Sequence, residues 1–179
     1  MVSSDRQRVL VVDGYNVLRS GDYYHSVREQ MPDYGSESMN NAREALINDV
    51  AIFAGQDYQA VVVFDGGGNA FSDGQSSLIG RVEVVYSAAG VSADSVIEER
   101  VKQAKAGGAE VLVITSDAAT QWTILGRQVS RMSAEGFCRE LGQLQSEAQD
   151  NAKWQPASKF TLAERLDPAV LADLKSRFG

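Results

Sequence analysis

"RVLVVDGYN", residues 8 to 16, is an apolar run that leaves its strand through an acid, a glycine, an aromatic and an amide in succession. Val9 to Val12 show no polar alternation, the pattern of a strand covered on both faces. Three further runs share it: "QAVVVFD" (59–65), "RVEVVYS" (81–87) and "AEVLVITSD" (109–117). Helical spacing fills the gaps. "NNAREALINDVAIFAG" (40–55) places Ala42, Leu46, Val50 and Phe53 on one stripe and stops at Gly55. "ADSVIEERVKQAKAGG" (93–108) does the same with Val96, Ile97, Val101 and Ala104, and stops at a glycine pair. Strands alternating with helices predict a three-layer α/β/α sandwich around a mainly parallel sheet.

Downstream, "AATQWTILG" (118–126) reads as a short helix, "RQVSRM" (127–132) as an edge strand and residues 133–153 as a long helix opened by Ser133. A loop and a helix from near Pro168 close the chain, while "DGGGNAFSDGQSS" (65–77) reads as a Gly/Ser/Asp-rich loop. A length of 179 residues suits one domain over 1–179, with a helical extension from about residue 133. No apolar run is long enough to span a membrane, and the N-terminus lacks a signal-peptide core, so a cytoplasmic location is expected. Cys138 is the single cysteine, which rules out an internal disulfide framework and suits a reducing compartment. It reads as a small buried residue, because the one histidine, His25, is distant in sequence.

In open parallel sheets, ligands sit beyond the carboxyl ends of the strands. Asp13, Asp65 and Asp117 close three of the four runs, and Asp94 opens the helix that follows the remaining one. Each acid alone also fits a helix cap or a turn. Convergence on one rim is what a cap does not explain. Crowded carboxylates hold protons unless a cation neutralises them, and Mg²⁺ or Mn²⁺ suits an all-oxygen donor set. Glu98 lies four residues after Asp94, on the same helical face, although Ser95-Val96-Ile97-Glu98 also fits a capping box. Asn41-Ala42-Arg43-Glu44 reads as a cap-like helix start.

Other site chemistries lack their residues. No G-x-G-x-x-G follows the first strand, and "DGGGNAF" lacks the Lys-Ser/Thr of a P-loop. There is no G-x-S-x-G elbow, and a lone histidine leaves little for a Ser-His-Asp triad. The position two residues after Asp13, where a haloacid-dehalogenase-type phosphatase carries a second Asp, is Tyr15. A net charge of −7 argues against broad affinity for nucleic acid, though not against a local basic face. Arg43, Arg81, Arg127 and Arg131 are the candidates for steering a phosphate backbone, each equally readable as a surface charge. Tyr15 and Trp122 read as packing residues, with base stacking the alternative.

"VVDGYNV", "VVVFD", "VEVVYSAAGVSADSVIEE", "VITSDAATQW", "ILG", "RMSAEGF" and the "PASKFTL" tail resemble, in order and spacing, the YacP-like NYN-domain ribonucleases. These PIN-like proteins include a ribosome-associated endonuclease that cuts mRNA in the ribosomal A site. The resemblance runs from about Val9 to Phe178. It implies a PIN-like sandwich and divalent-metal-dependent cleavage of mRNA, with the ribosome as partner and Mg²⁺ or Mn²⁺ as cofactor. It carries Asp13, Asp94 and Asp117 over as the acidic core, with Asn16, Asp65 and Glu98 in support. Gly14 is then expected to permit a sharp turn, and Asn16 to hold Asp13 or a phosphate oxygen. The chain departs from the family at Gln128, where glycine is typical, at Ser133-Ala134-Glu135-Gly136-Phe137, in place of a "SAREL"-like start, and at Thr120, often an acid. Two other functions remain open on the sequence: a non-catalytic RNA- or ribosome-binding module, and a metal-dependent phosphatase acting on small esters.

Overall fold

The computed structural model describes residues 7–20, 23–24, 36–66, 73–117 and 126–153. Among these described residues, ten elements follow in chain order: β1 (Arg8–Asp13), α1 (Gly14–Ser20), α2 (Ser36–Ala54), β2 (Gln59–Phe64), β3 (Ser76–Ile79), β4 (Val82–Tyr86), α3 (Ala93–Ala106), β5 (Glu110–Ile114), β6 (Val129–Met132) and α4 (Ala134–Lys153). The six strands form one sheet in the order β3-β4-β2-β1-β5-β6. Every pairing is parallel except β3 with β4. The chain divides into two compact units, residues 1–144 and 145–179, and the site described below belongs to the first.

The pleat sorts the apolar runs onto two faces. Leu10, Val12, Ala60, Val62, Phe64, Val82 and Val84 pack with the buried stripe of α2 (Ala42, Leu46, Val50) and with Val17, Leu18 and Phe137 of α1 and α4. Val11, Val61, Val63, Val85, Val111 and Val113 pack against Ile97 and Val101 of α3. Burial on both faces is why these runs lack alternation. The sandwich is the one the sequence predicts. Cys138 is half-buried against the first core, and burial pushes its thiol pKa up, as for an inert packing residue.

Local differences have local causes. Gly14 opens α1 directly, and it is not among the glycines with positive φ, so no sharp turn requires it. Its need is steric: a Cβ there would lie 2.3 Å from Cε1 and 2.5 Å from Cδ1 of buried Phe64. Residues 76–79, partly assigned to the 65–77 loop by the sequence, form edge strand β3. It returns to β4 through Gly80, at φ +60, and Arg81, the arrangement that matches strand twist in a two-residue hairpin. α2 begins at Ser36, so Asn41 to Glu44 lie inside the helix rather than at its start. Gln128, which replaces the typical glycine, adopts φ +72, the left-handed region that glycine enters without penalty. The expected helix at 118–126 falls mostly outside the described residues, and the one near Pro168 entirely so. The same holds for His25, Thr120 and Trp122.

Candidate functional site

At the carboxyl rim of the sheet, Asp13, Tyr15, Asn16, Arg19, Asp65, Ser92, Ala93, Asp94 and Asp117 line one concavity of about 180 Å³. Four chain segments deliver its acids. Asp13 is the last residue of β1, Asp65 follows β2, Asp94 lies in the first turn of α3, and Asp117 follows β5 by three residues. Asp13 shares the pleat parity of Val11, so its side chain emerges on the α3 face, where Asp94 enters. Two larger concavities, of about 400 and 390 Å³, lie at the amino ends of the strands. Each has one carboxylate among its described lining residues, Glu110 or Glu83, so the acid chemistry gathers at the smaller site.

Asp13 is the fixed point. It is 8% exposed, and its Oδ1 accepts the backbone N–H of Asn16 at 3.1 Å, capping α1. Its Oδ2 accepts the Thr115 hydroxyl at 3.4 Å, and Thr115 Oγ1 in turn accepts the backbone N–H of Asp117 at 3.1 Å. Burial raises the Asp13 pKa; the Asn16 N–H opposes this, Asp94 adds to it, the Thr115 hydroxyl opposes and Asp117 adds again. Asn16 does more than hold Asp13. Its Oδ1 accepts the backbone N–H of Ser116 at 2.7 Å, tying the exit of β1 to that of β5. Ser116 Oγ accepts the N–H of Ala134 at 3.0 Å, so the same tripeptide also anchors the start of α4.

Asp94 is not the cap of its helix. Ser92 fills that position, accepting the Ser95 N–H at 3.2 Å, and Asp94 lines the concavity. With the cap at Ser92, Ser95 and Glu98 form no capping box. Glu98 is half-buried one turn beyond Asp94 and outside the lining. Asp65 is exposed, and its Oδ1 accepts the Ser87 hydroxyl at 3.4 Å. The sequence reading missed Thr115, Ser87 and Ser92, whose hydroxyls arrange the acids. A Ser or Thr two residues before a strand-end acid was the available signal for Thr115.

The cations distribute unevenly. Arg19, which the sequence reading did not select, is the one basic residue among the described lining. Arg43 stands behind the wall, its Nε donating to the Tyr15 hydroxyl at 3.1 Å. Arg131 is exposed on β6 opposite Val113. Arg81 and Arg127 precede the amino ends of β4 and β6, at the opposite rim. The donor set, four carboxylates, is that of a hard divalent cation, and a cation would offset the burial and like-charge repulsion at Asp13. Among the described residues, no three such groups already converge as ligands of one point.

A mainly parallel α/β/α sandwich with an acidic carboxyl rim is consistent with the PIN-like class of fold. Residues 10–178 match the YacP-like NYN domain model, and the chain belongs to that family. A curated relative, the uncharacterized protein YacP of Bacillus subtilis, is 28% identical over 166 residues, covering 88% of this chain and 91% of its own. The crystal structure of Rae1 (YacP) from Bacillus subtilis aligns with TM-score 0.62 at 27% identity, covering 96% of this chain and 95% of that one. A tryptophan-to-leucine variant of the same protein aligns with TM-score 0.67 at 23% identity, over 94% and 99%. NYN domains belong to the PIN-like nuclease superfamily, whose members are generally divalent-metal dependent, which suggests ribonuclease activity. Among the described residues, no helix is long and apolar enough to cross a membrane.

Proposed function

We propose that this protein is a divalent-metal-dependent endoribonuclease of the cytoplasm that cleaves mRNA in association with the ribosome. The observation that carries the reading is the concavity lined by Asp13, Asp65, Asp94 and Asp117 with a single arginine, Arg19, on its wall. Asp13, Asp94 and Asp117 would hold Mg²⁺ or Mn²⁺, with Asp65 in support and Glu98 behind Asp94. A metal bound there supplies a water of lowered pKa and neutralises charge on the phosphate. The chain's own groups set the geometry. Asn16 and Thr115 fix Asp13, Thr115 fixes the backbone of Asp117, and Arg19 on the same wall would meet a bound phosphodiester. Water attack in this frame leaves 5′-phosphate and 3′-hydroxyl ends.

Electrostatics and the family resemblance both support the ribosome as partner. A chain of net charge −7 attracts a polyanion weakly, so docking on a larger particle has to supply the positioning that a basic groove would otherwise give. The test incubates the protein with one transcript, free and under translation, with Mn²⁺ and with chelator. Chelator-sensitive cleavage, faster on the translated transcript and leaving 5′-phosphates, is the expected result. Equal rates on both forms would remove the ribosome from the account, and no cleavage of either would reduce the protein to a binding module.

A further inference from the structure

Beside the acidic concavity, on the opposite face of the sheet, the structure builds an aromatic shelf that the cleavage chemistry does not use. Phe64 and Tyr86 end β2 and β4 at paired positions. Their rings stack at 5.4 Å and 25°, and Tyr15 meets Phe64 edge-on at 5.2 Å. Phe64 is fully buried, whereas Tyr86 is 37% exposed. Phe64 covers one face of the Tyr86 ring, and the residue keeps more than a third of its surface in solvent. Two guanidinium groups flank the shelf: Arg43 lies 5.4 Å and Arg19 5.8 Å from the centre of the Tyr15 ring. Tyr15 and Arg19 also line the acidic concavity, so shelf and site share a wall. Burial raises the Tyr86 pKa, with nearby Arg43 lowering it and Tyr15 raising it.

A polynucleotide leaving the concavity cannot run along the carboxylates that repel it. The flank carrying Arg19 and Arg43 is the compatible exit, and an aromatic face beside two cations is how proteins hold unpaired bases. We propose that Tyr86 is the stacking platform for one unpaired base next to the scissile phosphate, with Arg19 and Arg43 on the adjoining backbone, so that the substrate is single-stranded. A base already stacked within a duplex cannot present its face to Tyr86. This inference rests on the ribonuclease reading.

The test measures binding of short single-stranded oligoribonucleotides, each made abasic at one position in turn, with Ca²⁺ replacing Mg²⁺. Wild type should show one position where loss of the base weakens binding about tenfold. Tyr86→Leu, which keeps apolar cover on Phe64, should bind the intact RNA about tenfold more weakly and be indifferent to that abasic position, while Tyr86→Phe matches wild type. A Tyr86→Leu protein that senses every abasic position as wild type does would overturn the platform and leave the ribonuclease reading standing. Failure of wild type to bind any of these RNAs would also overturn the platform, while chelator-sensitive cleavage of a translated transcript reads the ribonuclease activity separately.

Discussion

Replacing Gly14 with alanine places a methyl group against a ring that has nowhere to go. The added Cβ would meet Cε1, Cδ1 and Cζ of Phe64 at 2.3, 2.5 and 3.0 Å. Phe64 is itself confined by Tyr15 at its edge and Tyr86 on its face. Overpacking of this kind costs about 1–3 kcal/mol. The gain in helix propensity on replacing glycine is at most about 1 kcal/mol and smaller at the first helical position. The net expectation is a loss of about 1–2 kcal/mol, or roughly 2–8 °C in melting temperature for a chain of this size. Thermal melting of Gly14→Ala, Phe64→Leu and the double variant tests the cause as well as the amount. If the clash is real, the double variant is more stable than the two single losses added together, by a coupling of about 0.5–3 kcal/mol. A Gly14→Ala protein that melts at or above wild type, or losses that simply add, would refute the steric reading.

The other expectations are independent of that clash. Gln128→Gly relieves a left-handed residue at φ +72 and should raise stability by up to about 1 kcal/mol, read by denaturant titration. Asp49, 6% exposed and accepting the Tyr24 hydroxyl at 2.9 Å, has a raised pKa caused first by burial and opposed by that hydroxyl. Its contribution to stability is therefore complete below the unfolded-state value near 3.8 and is lost as pH rises through the folded value. Asp49→Asn should remove that loss, so the variant gains on wild type across this window in a melting series, by at most about 1.4 kcal/mol per pH unit. Mn²⁺ at about 100 times its dissociation constant should add about 2.7 kcal/mol to wild type and markedly less to Asp13→Asn. Calorimetry in the two proteins reads the difference.

Periodicity made the layers legible. Four unalternating strands and two apolar stripes were enough to place the acids at one rim, because a parallel sheet sends every strand's carboxyl end the same way. Short elements were less legible. α1 has seven residues, and its start coincides with the strand-end motif it follows. β3 has four residues, two of them serines, with all four side chains exposed, so it carries no hydrophobic signature. The hydroxyls of Thr115, Ser87 and Ser92 escaped notice because a serine or threonine near a strand end is compositionally ordinary. Only the bonds to Asp13, Asp65 and the Ser95 amide distinguish them. The arginines were the weakest part, since the strand-end logic that places the acids was not applied to residues preceding a strand. Arg81 and Arg127 fall at the rim away from the acids, and Arg19, one turn after Tyr15, lines the concavity.

The central claim is that the four aspartates are a metal-dependent cleavage site, and Asp94 isolates it best because Ser92, not Asp94, caps α3. The measurement is the Mn²⁺-dependent rate at which wild type and Asp94→Asn cleave one transcript, with melting curves showing both proteins folded. A ligand should matter more than an outer partner, whose loss typically costs about 10–100-fold, so the expected result is a loss beyond about a hundredfold with an unchanged or raised melting temperature. A folded Asp94→Asn protein that cleaves at the wild-type rate would contradict the account.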